Sequence, residues 1–149
     1  MPSSADDNNM DTKTVTIRSA KDGAELVLSA ADYPASDRMD VSIIGPAVSA
    51  KLSTSTYHVG SPALFFERMA KNWRGWEGEY RWATLEDDFR LAATTDRLGH
   101  VELSIVMKSE SCPRDWEVRV RIVLEAGVLD DIFRKVKEVF PIHEGAPRD

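Results

Sequence analysis

Residues that staple, ligate or cross a membrane are scarce in this chain. There is one cysteine, Cys112, so no intramolecular disulfide can form. It precedes Pro113 in a polar stretch without the basic or helix-start setting that would activate a thiol. The three histidines, His58, His100 and His143, have no His or Cys partner at metal-ligand spacing, so neither a metal site nor a cofactor is expected. Apolar runs fall well short of the roughly 20 residues a membrane span requires. A basic start followed by an apolar core is also missing, so a cytoplasmic protein without a membrane partner is expected. Basic residues are the minority, 19 Lys and Arg against 25 Asp and Glu with a formal charge of −6, which argues against a nucleic-acid surface. Phosphate-cradling glycine loops, dinucleotide fingerprints and serine-nucleophile elbows are absent too, so the balance leans away from an enzyme.

What is present is enough for one domain: 149 residues, 42% of them hydrophobic, can bury a core unaided. Residues 1–11 hold little to bury and read as a disordered arm, residues 12–141 as a single domain, and 142–149 as a flexible tail. Val15 and Ile17 alternate with polar neighbours, as do Leu26 and Leu28, then Met39, Val41 and Ile43, then Val48, Ala50 and Leu52, which predicts four short strands. Ser61-Pro62 starts a helix, with Leu64, Phe65, Met69 and Trp73 on its apolar stripe and a stop near Gly75.

The second half runs in the same order. Tyr80 and Trp82 lead a strand, Glu86-Asp87-Asp88 reads as a solvated turn, and Phe89, Leu91 and Ala93 return. Val101, Leu103 and Ile105 follow the Asp96–Gly99 turn. Trp116, Val118, Val120, Ile122 and Leu124 alternate with Glu117, Arg119 and Arg121, a strand with one wet face. Leu129, Ile132, Phe133, Val136 and Phe140 then stripe a second helix that Pro141 ends. At an offset of 67 residues Gly60 falls on Gly127, Met69 on Val136 and Trp73 on Phe140. The expected fold is therefore α+β: a mostly antiparallel sheet of about eight strands with two helices, arranged as a ββββα pseudo-repeat.

Between the halves lies the most distinctive stretch, Trp73-Arg74-Gly75-Trp76-Glu77-Gly78-Glu79-Tyr80-Arg81-Trp82, with three of the four tryptophans. Together with Leu85-Glu86, Leu91, Ala93 and Gly99-His100-Val101, it resembles a bacterial family of about this length, domain of unknown function 6228. The resemblance covers Ser61 to Phe140, implies a cytoplasmic bacterial domain and transfers no catalytic role.

Periodicity assigns Trp73 and Trp82 to the core, whereas Trp76, between two glycines and off both patterns, is expected at the surface or capping the core's edge. Arg74, Trp76, Glu77, Glu79, Arg81 and His100 are the candidate binding residues, because Trp and Arg are enriched in interaction hot spots. The expected function is a non-catalytic protein-binding module. Its partner is expected to be basic, such as a toxin that an immunity protein neutralises; homo-oligomerisation is a further expectation. The alternative is a small-molecule or carbohydrate binder or hydrolase using Glu77, Glu79 or Glu86 beside the aromatic rings.

Overall fold

The structure, a computed structural model, describes residues 12–109 and 115–142. The expectations for residues 1–11, Cys112 and His143 lie outside the described residues. Alternation of small polar and branched apolar residues produces β1 (Thr12–Arg18), β2 (Glu25–Ala31), β3 (Arg38–Ile44) and β4 (Ser49–Ser55), followed by helix α1 (Ala63–Lys71). The order then recurs as β5 (Tyr80–Ala83), β6 (Phe89–Thr95), β7 (His100–Lys108) and β8 (Glu117–Glu125), with a short 3-10 turn (Ala126–Val128) leading into α2 (Leu129–Val139). The fold is α+β, with eight antiparallel strands in two four-stranded meanders, β1-β2-β3-β4 and β5-β6-β7-β8, and a helix after each.

The period-2 pattern decides which face is covered. Val15, Ile17, Leu26, Leu28, Met39, Val41, Ile43 and Leu52 of the first sheet turn inward. So do Tyr80, Trp82, Phe89, Leu91, Leu103, Ile105, Ile122 and Leu124 of the second, and both sets belong to one apolar cluster. Each helix lies nearest the other half's sheet: α1 against β5, α2 against β1 and β2, with the two helices packed on each other. This exchange makes the halves mutually dependent. Ser61 seals it, because its hydroxyl accepts from Ala63 N at 3.0 Å, as its helix-start role requires, and donates to the Phe140 carbonyl at 2.6 Å.

Two junctions fasten the sheets to each other. At one end, Ala20 N donates to the Val123 carbonyl (2.8 Å) and Val123 N to the Ser19 hydroxyl (3.1 Å). At the opposite end Asp88, only 1% exposed, accepts from the hydroxyls of Thr54 (2.7 Å) and Thr84 (2.6 Å). The expectation that Asp88 sits in a solvated turn is thus corrected. Asp87 takes a positive φ of 59°, and the next side chain turns inward under the turn instead of out of it.

Three further corrections concern the ends of elements. Helix α1 stops at Lys71, two residues before Trp73, because the Asn72 side-chain amide donates to the Arg68 carbonyl and Gly75 N to the Asn72 carbonyl. Trp73 therefore leaves the apolar stripe and is 53% exposed. Val48 precedes β4 and is exposed, since Gly45 N bonds its carbonyl in the hairpin turn. Trp116 precedes β8 and is also exposed.

Candidate functional site

Strand register brings several loops to one end of the molecule. The row Arg18, Glu25, Ile44, Ser49 places the β1–β2 and β3–β4 turns side by side. In the second sheet, the pairings Tyr80–Ala93, Thr95–Val101 and His100–Glu125 put the start of β5, the β6–β7 turn and the end of β8 together. The Ser19-Ala20 junction to Val123 joins the two sets into a continuous rim. Five of the eight large apolar side chains exposed among the described residues border it: Ile44, Val48, Trp73, Leu98 and Val128. Leu98, at the tip of the β6–β7 turn, is 81% exposed.

The tryptophan-rich connection feeds into this rim. Gly75 (φ 122°) and Gly78 (φ 77°) take backbone conformations that side chains disfavour, which allows the chain to double back between them. Trp76 is half-buried. Its ring stacks on Tyr80 at 4.4 Å and 9°, its Nε1 donates to the Ala93 carbonyl (3.2 Å), and its backbone exchanges bonds with the Thr95 hydroxyl. The Arg68 guanidinium lies 4.0 Å over the same Tyr80 ring. A ring and a guanidinium this close to one centroid must occupy opposite faces, so both faces of Tyr80 are taken. Trp76 is thus the cap on the core's edge that its position between two glycines suggested.

The other sequence candidates are displayed around this cap. Arg74 is exposed and lies 5.1 Å over the exposed Trp73 ring. Glu77 and Glu79 are exposed, and Glu79 pairs with Arg81 on the outer face of β5. Trp76 reaches the rim through its bonds to Thr95, which directly precedes the Asp96 turn, and Arg74 and Glu77 flank it in the chain; His100 begins β7 at the same end, whereas Arg81 lies on the exposed face of β5.

His100 faces two carboxylates here. Its Nδ1 lies 3.0 Å from Asp96 Oδ2 and its Nε2 3.2 Å from Glu125 Oε2, while its backbone N donates to Asp96 Oδ1 at 3.0 Å. Leu98 N also donates to Asp96 Oδ1, at 2.7 Å, so one carboxylate organises the whole turn. Beside the ring runs an open groove of about 420 Å³ lined by Lys21, Thr94, Asp96, His100, Glu102 and Val123.

Electrostatics follow the geometry. The Asp96 side chain, then the Glu125 charge, hold the His100 pKa above its ordinary value. The backbone N–H of His100, then that of Leu98 and the His100 ring, hold the Asp96 pKa below its own. A raised histidine pKa adds stability that is complete below the unfolded value and is lost as pH rises through the folded one. A lowered aspartate pKa adds stability that is present above its unfolded value and is lost as pH falls through the folded one. The pair is therefore strongest in the window above the Asp96 titration and below that of His100.

Sequence reasoning missed the Ser19–Val123 junction and the rim roles of Ile44, Val48 and Val128, which only strand register reveals. Leu98 did carry a readable signal, an apolar residue inside the polar turn Asp96-Arg97-Leu98-Gly99. Among the described residues no group of three or more His, Cys, Asp or Glu is arranged to hold a metal, and no helix is long and apolar enough to cross a membrane.

Two antiparallel meanders with exchanged helices and a rim built from their loops define the architecture. The chain belongs to the family of unknown function DUF6228, whose model matches residues 10–143, both halves of the pseudo-repeat included. No curated protein and no solved structure matches it.

Proposed function

We propose that the protein is a non-catalytic protein-binding module, acting in the cytoplasm, whose docking surface is the rim formed by Trp73, the Asp96–His100 turn and the Ala126–Val128 turn. The observation that carries this reading is the gathering of exposed Trp73, Leu98, Val128, Ile44 and Val48 around a charged groove at one end. Exposed apolar side chains gathered at one end, flanked by polar residues, mark an interaction surface. The partner we propose is basic, since the chain carries 25 Asp and Glu against 19 Lys and Arg; a toxin neutralised by an immunity protein is the first case to test.

His100 is poorly placed to act as a general base, because both ring nitrogens already face carboxylates. The alternative, a small-molecule or carbohydrate site at the tryptophan-rich connection, has less support. Tyr80 offers no free face, and Glu79 is engaged by Arg81.

The test is capture with the tagged chain, followed by affinity measurement. Trp73→Ala and Leu98→Asp are expected to abolish binding of a captured protein, and Leu85→Asp, at the opposite end, to leave it intact. Equal loss from both ends, or no protein partner together with a melting temperature raised by a metabolite or sugar, would favour the alternative. A solution mass of two copies that Leu98→Asp reduces to one would make a second copy the occupant.

A further inference from the structure

The groove beside His100 contains an arrangement that only one protonation state satisfies. A neutral imidazole has one N–H donor and one lone pair, so it can serve one carboxylate and must repel the other. Here Nδ1 lies 3.0 Å from Asp96 and Nε2 3.2 Å from Glu125, a geometry that fits the doubly protonated ring. The two carboxylates come from different elements, Asp96 from the turn before β7 and Glu125 from the last residue of β8. Two other charged groups line the same groove: Glu102, two residues along β7, and Lys21, from the β1–β2 turn. Glu102 favours the charged ring and Lys21 opposes it.

We propose that His100 is a protonation-dependent clamp that fastens the β6–β7 turn to the end of β8. As an imidazolium it bridges both carboxylates. On losing a proton it keeps Asp96 and releases Glu125, because Asp96 is anchored by two backbone donors, His100 N and Leu98 N. The ladder pairing of His100 with Glu125 remains, but Ala126, the residue after Glu125, donates its backbone N–H to the Gly99 carbonyl at 2.8 Å, so losing the side-chain bridge beside it makes this bond between the two turns open more often. Leu98 stands on one side of that bond and Val128 on the other. If the rim is the docking surface, as proposed above, the clamp holds these two apolar contacts in register and makes partner binding stronger on the acid side of the His100 titration.

The clamp is testable on the chain alone, by following the His100 ring resonances and the exchange of the Ala126 amide against pH by NMR. Corrected for the intrinsic pH dependence of exchange, Ala126 protection is expected to fall several-fold as pH rises through the His100 titration. In Glu125→Gln and in His100→Gln that step is expected to vanish; both residues are substantially exposed, so both variants should fold. A flat wild-type profile, or a step that persists in Glu125→Gln, would overturn the proposal. Neither result depends on a partner, so failure of the clamp and failure of the docking rim are read separately.

Discussion

The two halves of this molecule share a plan and differ in what they do with it. Each is a four-stranded meander followed by a helix, and each helix packs nearest the other's sheet. The outward face of the first sheet is rich in hydroxyls, including Thr14, Thr16, Ser29, Ser42 and Ser53, with Thr14 bonded to Ser29 across strands, beside the ion pairs Arg18 to Glu25 and Arg38 to Asp40. That of the second carries ion pairs, Arg81 to Glu79, Arg119 to Glu117 and Arg121 to Glu102. Such exposed pairs contribute little to stability. The consequential difference is in the connections. The first half's helix exits through a glycine-hinged loop that caps the core with Trp76 and leaves Trp73 in solvent, whereas α2 ends on the buried Phe140. At the 67-residue offset these two aromatic residues are equivalent, so the same place in the plan is core in one half and surface in the other. Duplicated architecture fixes the scaffold, and the unequal loops carry whatever is specific.

The largest expected effect tests whether the halves are truly interdependent. Phe140 lies in the second half but packs edge-on to Tyr33 at 5.3 Å and accepts the Ser61 hydroxyl, both in the first. Phe140→Ala should cost about 3–5 kcal/mol. Thermal unfolding should remain one transition by both far-UV dichroism and tryptophan fluorescence; two separated transitions would break the picture of exchanged helices. Next comes the junction at the end opposite the rim. Asp88→Ala strands the Thr54 hydroxyl, leaves that of Thr84 only its bonds to the Phe89 backbone, and should cost about 2 kcal/mol in denaturant titration. Thr54→Val in the same background should then have little further effect, because the bond it removes is already gone.

Trp76→Phe keeps an aromatic stack on Tyr80 and loses the Nε1 bond to Ala93, an expected cost of about 1 kcal/mol. The smallest effect sharpens the comparison most. Trp73→Ala should change stability by no more than about 0.5 kcal/mol, because the ring is exposed and lies outside the apolar cluster. A large loss of stability would mean that Trp73 is a core residue like its counterpart Phe140.

Much of the scaffold was legible because period-2 alternation is strong wherever one sheet face is covered, as in Val15-Ile17 or Leu103-Ile105, and because Asp130, Asp131 and the apolar stripe mark α2 plainly. Helix exchange was not legible: an amphipathic stripe specifies that a face is buried but not against which sheet. Trp73 was misassigned because its spacing from Met69 continues the helical period past the point where Asn72 has already ended the helix. Asp88 was misread because turn composition is silent about which of three consecutive acids points inward. The site was half legible. Arg74, Trp76, Glu77 and His100 do converge on the rim, whereas Ile44, Val48 and Val128 join it only through pairings between distant strands.

The most direct test of the docking rim is a hydrogen–deuterium exchange footprint of the chain, alone and with a captured partner. Added protection is expected over Trp73–Glu79, Asp96–His100 and Ala126–Val128. Protection confined to the opposite end, around Tyr57 and Thr84–Asp87, would contradict it.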